Sequence, residues 1–197
     1  NWNAVWESNF QPIEVPGFWG VRASFHPPFE QVKYEILIDP EMAFGTGHHE
    51  TTFMMMQLME HLDFSQKRVF DYGCGTGILA ILADKMGAKL IDAVDIEKPA
   101  YENTLVNAQK NDTNNIKAIH GTLAQVLGAD FHIILANINR NVILSSLHSL
   151  NLKLTKDGLL LLSGILKVDF EIVKLAAEKE GFTYKKHLSK GDWVAIL

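Results

Sequence analysis

Asp71-Tyr72-Gly73-Cys74-Gly75-Thr76-Gly77 is the stretch on which the reading of this chain turns. It follows a short apolar run, Val69-Phe70, and it precedes residues 78–86, whose apolar spacing is helical. A glycine cluster carries meaning only in such a strand–turn–helix setting. Glycines there let the backbone turn tightly and let a ligand come close. The spacing is G-x-G-x-G, with an acid two residues before the first glycine. It differs by one residue from the dinucleotide fingerprint G-x-G-x-x-G. An acid at Asp71 is a poor neighbour for a diphosphate and suits a cationic or amino-bearing ligand better. The second signal is Asp95, at the end of the next strand, Ile91-Asp92-Ala93-Val94-Asp95. An acid at that point can accept hydrogen bonds from both hydroxyls of a ribose. Loop and acid together read as a nucleoside-binding pair, against the plainer reading of a tight turn.

Outward from the loop, strands alternate with helices. Helical spacing covers 50–61, 78–86, 98–111, 141–154 and 168–180. Strand patterns cover 90–96, 116–120, 131–136 and 158–163. Leu159-Leu160-Leu161-Leu162 and Ile133-Ile134-Leu135-Ala136 are continuous apolar runs, as parallel strands buried on both faces require. The pattern predicts an α/β fold with a doubly wound, mostly parallel sheet. Two final strands, 182–188 and 193–197, have no helix between them. They predict a hairpin across Lys190-Gly191-Asp192 and an antiparallel strand at the end of the sheet. The front section differs. Residues 1–10 read as a short helix with Trp2 and Trp6 one turn apart, ended by Pro12. Residues 13–23 and 34–38 read as strands without parallel-sheet rhythm. The expected organisation is an N-terminal extension over 1–42 packed on a catalytic domain over 43–197.

The 197 residues are 47% hydrophobic and 21% charged, ordinary for one folded domain with a core of its own. The single cysteine, Cys74, excludes an intramolecular disulfide and suits a reducing compartment. The net charge of -5 counts against unaided nucleic-acid binding, which favours a basic stripe. No signal peptide or membrane-spanning apolar run is visible. The chain begins at Asn1 rather than Met, so a processed or trimmed form is expected.

These residues resemble the class I methyltransferases, which implies a seven-stranded sheet with the last strand antiparallel. The resemblance implies that Gly73, Gly75 and Gly77 wrap the methionine part of S-adenosylmethionine. It places Asp71 near the ligand's amino group and Asp95 on the ribose. Three further segments narrow it: Met42-Ala43-Phe44-Gly45-Thr46-Gly47-His48-His49-Glu50-Thr51-Thr52, then Ala136-Asn137-Ile138-Asn139, then Leu162-Ser163-Gly164-Ile165-Leu166. Together they are similar to the PrmA family, which methylates the eleventh protein of the large ribosomal subunit. The likeness runs from about Trp2 to the end of the chain. It implies a bacterial cytoplasmic enzyme that methylates lysine side-chain amines and the N-terminal amine of that large-subunit ribosomal protein. It implies no direct contact with nucleic acid or membrane. Thr52, Gly73, Asp95 and Asn137 are the implied cofactor contacts. Family members also carry a small N-terminal domain that grips the substrate, and it is expected to lie outside these 197 residues. Its His48-His49-Glu50 and Glu97 depart from the common family residues.

Asn137 is the candidate catalytic residue, accepting hydrogen bonds from the target amine. Its plainer reading is a cap for the following helix. His48, His49 and Glu50 read as a polar lid rather than a metal site, since zinc needs three or four converging ligands. No metal is expected. Thr51 reads as a helix N-cap or as a contact. Cys74 has no evident base beside it and reads as a small residue in a tight loop rather than a nucleophile. Trp19 and Trp193 read as packing. Two other functions stay open: a class I methyltransferase acting on a nucleic-acid base amine or a small-molecule amine, and a nucleotide-binding module without catalysis.

Overall fold

The computed structural model describes residues 11–39 and 49–197. The helix expected over 1–10, with Trp2 and Trp6, and the stretch 42–48 lie outside the described residues. The elements in order are β1 (Ile13–Val15), β2 (Trp19–Arg22), β3 (Tyr34–Leu37), α1 (Glu50–Met59), β4 (Arg68–Tyr72), α2 (Ile78–Lys85), β5 (Leu90–Asp95), α3 (Lys98–Lys110) and β6 (Ile116–His120). Then come β7 (Phe131–Asn137), α4 (Arg140–Lys153), β8 (Leu154–Leu166), α5 (Phe170–Lys179), β9 (His187–Lys190) and β10 (Trp193–Ile196).

Strands β4 to β10 form the expected seven-stranded sheet, in the order β6-β5-β4-β7-β8-β10-β9. Every pairing is parallel except those of β10, which runs antiparallel to both β8 and β9. The strand order reverses between β4 and β7. That switch point opens a crevice at the C-terminal ends of the strands, where ligands bind in folds of this kind.

Alternation along each strand sorts side chains to the two faces. Val69, Ile91, Ala93, Ile133, Leu135 and Leu161 join one core cluster, with α1 and α2. Phe70, Val94, Ile134, Ala136 and Leu162 join the other, with α4 and α5. Carried one step further, the same alternation puts Asp71, Asp95 and Asn137 on the face of α1 and α2. Helix α1 has Met54, Met55, Met56, Leu58 and Met59 all buried. A helix apolar on several sides needs cover on several sides. The sheet supplies one part, and the N-terminal strands supply another through the edge-to-face pair of Trp19 and Phe53 at 5.4 Å.

Some expectations need correction. The strand expected over 13–23 is two strands, because Pro16 and Gly17 turn the chain, with Gly17 at φ 79°. The front section does contain a parallel pair: β2 runs antiparallel to β1 and parallel to β3, in a separate three-stranded sheet. Strand β8 begins at Leu154, directly after α4, rather than at 158. It bulges against β7, where Phe131 faces Leu154 but Ile133 faces Leu159. Strand β9 starts at His187 rather than 182, because its length is set by pairing with the four residues of β10.

Asn111, just past α3, ties that helix to the small sheet. Its Oδ1 accepts from the Leu37 N–H at 2.8 Å, and its Nδ2 donates to the Leu37 and Asn107 carbonyls at 2.8 Å each. One amide thus imitates a neighbouring strand for β3. Asn111→Ala is expected to cost about 1–2 kcal/mol, since it strips partners from the part-buried backbone groups of Leu37. Urea unfolding checks this, and a loss under about 0.5 kcal/mol would contradict the role.

Candidate active site

The glycine loop leaves β4 at Tyr72 and enters α2 at Ile78. Gly73, Gly75 and Gly77 have φ of 76°, 57° and 81°, in the left-handed region where side chains are strained. At Gly73 the constraint is also spatial, because a Cβ there would run into Cγ2 of Ile138. Gly77 is the N-cap of α2.

Asp95 fastens this loop. Its Oδ2 accepts from the Gly75 N–H at 2.9 Å and its Oδ1 from the Glu97 N–H at 2.9 Å. Each carboxylate oxygen has two lone pairs. One on each remains for a ligand hydroxyl, so the expected ribose role and the observed anchoring role are compatible. Two further anchors come from α3 and were not read from the sequence. Thr104 donates its hydroxyl to the Gly75 carbonyl at 3.0 Å, and Asn107 donates Nδ2 to the Thr76 carbonyl at 2.9 Å. Asn103, Thr104, Asn107 and Asn111 are all buried. Their three- and four-residue spacing makes a polar stripe on the inner side of α3, and that stripe was the available signal.

Asp71 is 1% exposed, and neither of its carboxyl oxygens has a hydrogen-bond partner. Burial first, and then the charge of Asp95, push its pKa up from 3.8 to about 7. The Ala80 N–H in the first turn of α2 pulls the other way without reaching hydrogen-bond geometry. A buried carboxyl without partners is costly. An ammonium group brought against it would supply both the partner and the counter-charge.

Asn137 ends β7, beside β4 across the switch point. Its Nδ2 donates to the Thr52 hydroxyl at 3.2 Å, while its Oδ1 is buried without a partner. The helix cap is a different residue. Asn139 Oδ1 accepts from the Val142 N–H at 3.0 Å and caps α4. Thr52, in the first turn of α1, is 1% exposed, and its hydroxyl takes one end of the Asn137 amide. The amide therefore points a carbonyl oxygen, an acceptor and never a donor, at the place a ligand amine would occupy.

The remaining candidates sort out locally. Cys74 is buried, its Sγ lies 3.2 Å from the Thr104 hydroxyl, and burial followed by the charge of Asp71 pushes its thiol pKa well up. That is the reverse of what a nucleophile needs. His49 caps α1 through the Thr51 N–H and packs edge-on against Trp193 at 5.1 Å, so its side chain braces the helix rather than forming a lid. Thr51 is thus the partner of the cap and not the cap. His48 lies outside the described residues.

The donor set fits S-adenosylmethionine. Asp71 offers an acceptor for the α-amino group, Asp95 offers acceptors for the ribose, and the glycines give room for close approach. Known proteins agree in kind. Residues 1–197 match the family described as ribosomal protein L11 methyltransferase (PrmA). The chain is 43% identical to the ribosomal protein L11 methyltransferase of Porphyromonas gingivalis, covering all of this chain (100%) and 68% of that protein. It is 37% identical to the enzyme of the same name from Bacteroides thetaiotaomicron, covering 100% of this chain and 71% of that one. Among solved structures, the ribosomal protein L11 methylase of Lactobacillus delbrueckii subsp. bulgaricus superposes with a TM-score of 0.86 at 28% identity, over 95% of this chain and 97% of that one.

The raised pKa of Asp71 has a sign that can be checked. The folded protein holds this proton up to about pH 7 and the unfolded chain only to about 3.8. Stability contributed by the protonated form is therefore lost as pH rises from about 4 through about 7. Relative to wild type without ligand, Asp71→Asn is expected to gain stability over that window, by on the order of 4 kcal/mol at most. Urea melts of both proteins at pH 4.5 and 8.5 measure the change. A difference that does not move with pH would contradict it.

Proposed function

The chain belongs to the ribosomal protein L11 methyltransferase family, and from that membership we propose that it methylates amines of ribosomal protein L11, lysine side chains and the N-terminal amine. S-adenosylmethionine is the methyl donor. When bound, it supplies an electrophilic methyl group and a neutral thioether as the leaving group, so no metal is required. The observation that carries the proposal is the buried, unpartnered Oδ1 of Asn137 at the switch point.

The acceptor must arrive as a neutral amine. At pH 7 the free base of a lysine is disfavoured by roughly 3.4 pKa units, or about 4.6 kcal/mol. Burial beside apolar walls lowers that cost. Asn137 Oδ1 takes one amine N–H and so turns the nitrogen lone pair toward the methyl group. An Asp in its place would instead hold the ammonium form and resist loss of the proton. The amine's proton passes to water. Asp71 holds the amino group of the donor and Asp95 its ribose, and alignment of the reacting atoms accounts for several kcal/mol of the barrier.

The organisation fits this reading. Residues 43–197 serve as the catalytic domain and 1–42 as an extension, of which Trp19 packs on that domain. A protein partner is supported by the net charge of -5, which disfavours nucleic acid. No helix among the described residues is long and apolar enough to cross a membrane, and a ribosomal substrate puts the work in the cytoplasm.

Asn137→Ala is expected to lower methyl transfer to ribosomal protein L11 at least ~100-fold, while S-adenosylhomocysteine binds within a few-fold of wild type. Asp95→Ala is expected to lose that binding. Radiolabelled transfer and calorimetry separate the two effects. Wild-type turnover by Asn137→Ala would remove Asn137 from the reaction.

A further inference from the structure

We propose that Gly164 and Ile138 are positioning residues that fix the Asn137 amide by clamping the next peptide between β4 and β8. The proposal rests on the reading that Asn137 receives the target amine. The observations are independent of it. Asn137 faces Ser163 across the β7–β8 ladder, and the Ile138 N–H donates to the Ser163 carbonyl at 3.2 Å. The next residue on that side, Gly164, has φ 82°. A Cβ there would lie 2.8 Å from the Ile138 carbonyl carbon and 3.1 Å from its nitrogen, and closer still to its oxygen. On the other side, Cγ2 of Ile138 fills the notch over Gly73.

One glycine lies just past β4 and the other within β8, and they press on one residue from opposite sides. Gly164 meets its backbone, and Gly73 meets its side chain. Beyond Ile138 the chain is pinned again by the Asn139 cap of α4. Before it, the Asn137 amide is pinned to Thr52. The peptide that follows the catalytic side chain therefore has no freedom to rotate, and Asn137 cannot tilt without moving Ile138 into one glycine or the other. This gives the segment Leu162-Ser163-Gly164-Ile165-Leu166 a role in transfer. Ser163 is itself fixed, fully buried, with its hydroxyl donating to the Val194 carbonyl at 2.9 Å. A misplacement of about 1 Å is enough to cost ~100-fold in rate.

The test compares Gly164→Ala with Gly181→Ala. Gly181 also has positive φ, at 92°, but a Cβ there meets only the Asn151 side chain at 3.5 Å. Both variants carry the backbone strain, and only the first disturbs Ile138. Gly164→Ala is expected to lower kcat on ribosomal protein L11 ~100-fold, with the Kd for S-adenosylhomocysteine changed less than ~3-fold. Gly181→Ala is expected to keep wild-type kcat. Should Gly164→Ala fail to fold, the pair Ile138→Val and Ile138→Ala asks the same question. The valine keeps a Cγ2 and is expected to retain kcat, while the alanine loses it and about 10-fold in rate. A readout without substrate is the side-chain amide resonance of Asn137, assigned by its disappearance in Asn137→Asp. Gly164→Ala, or Ile138→Ala in its place, is expected to shift it as far as Thr52→Val does. An unmoved resonance, or equal kcat in the two glycine variants, overturns the clamp. A shifted resonance in a protein whose wild type leaves ribosomal protein L11 unmethylated overturns the substrate reading and leaves the clamp standing.

Discussion

The site depends on β4 and β7 lying side by side with the chain leaving them in opposite directions. At that one place in the sheet no crossover covers the C-terminal ends of two neighbouring strands. Period-two alternation then decides which side chains reach the crevice. Val69 and Asp71 share a face with Ile133, Leu135 and Asn137, and the apolar members sit in one core cluster. The burial of Val69, Ile133 and Leu135 thus fixes the register that delivers a carboxyl and an amide to the same side. A slip of one residue in either strand would turn its polar group away from the crevice.

The same burial sets the electrostatics. Asp71 is enclosed by the apolar packing that makes the fold stable, and Asp95, the acid that ties down the glycine loop, adds a second negative charge. The carboxyl is held near neutrality until a cation arrives. In the free protein this arrangement costs stability at neutral pH, and a ligand ammonium offsets that cost. The protein gives up stability where it gains affinity for a positively charged ligand. Asn137 shows the complementary choice. An uncharged acceptor orients an amine without favouring its protonated form.

Much of this was legible in the sequence, for reasons that can be named. The glycine loop and Asp95 were readable because positive φ and strand-end placement restrict residue type. The sheet was readable because fully buried parallel strands are continuous apolar runs, as in Ile133-Ile134-Leu135-Ala136. What was not readable came from pairing across long sequence separations. The parallel pair of β2 and β3 spans a connection with no helical pattern, so nothing local announces it. The early start of β8 depends on a bulge against β7. His49 looked free to cover a ligand, but its place is decided by Trp193, far along the chain. Asn137 read as a possible cap for the following helix, and only the observed geometry gives the cap of α4 to Asn139.

The most direct measurement is a calorimetric titration of the protein with S-adenosylhomocysteine at pH 6, in two buffers that differ in heat of ionisation. Asp71, with a pKa of about 7 in the free protein, is mostly protonated there. If the ligand's amino group docks against it, binding releases close to one proton, and the apparent enthalpy differs between buffers accordingly. Binding without proton release would mean that Asp71 does not meet the amino group. Absence of binding by the folded protein would contradict the cofactor site itself.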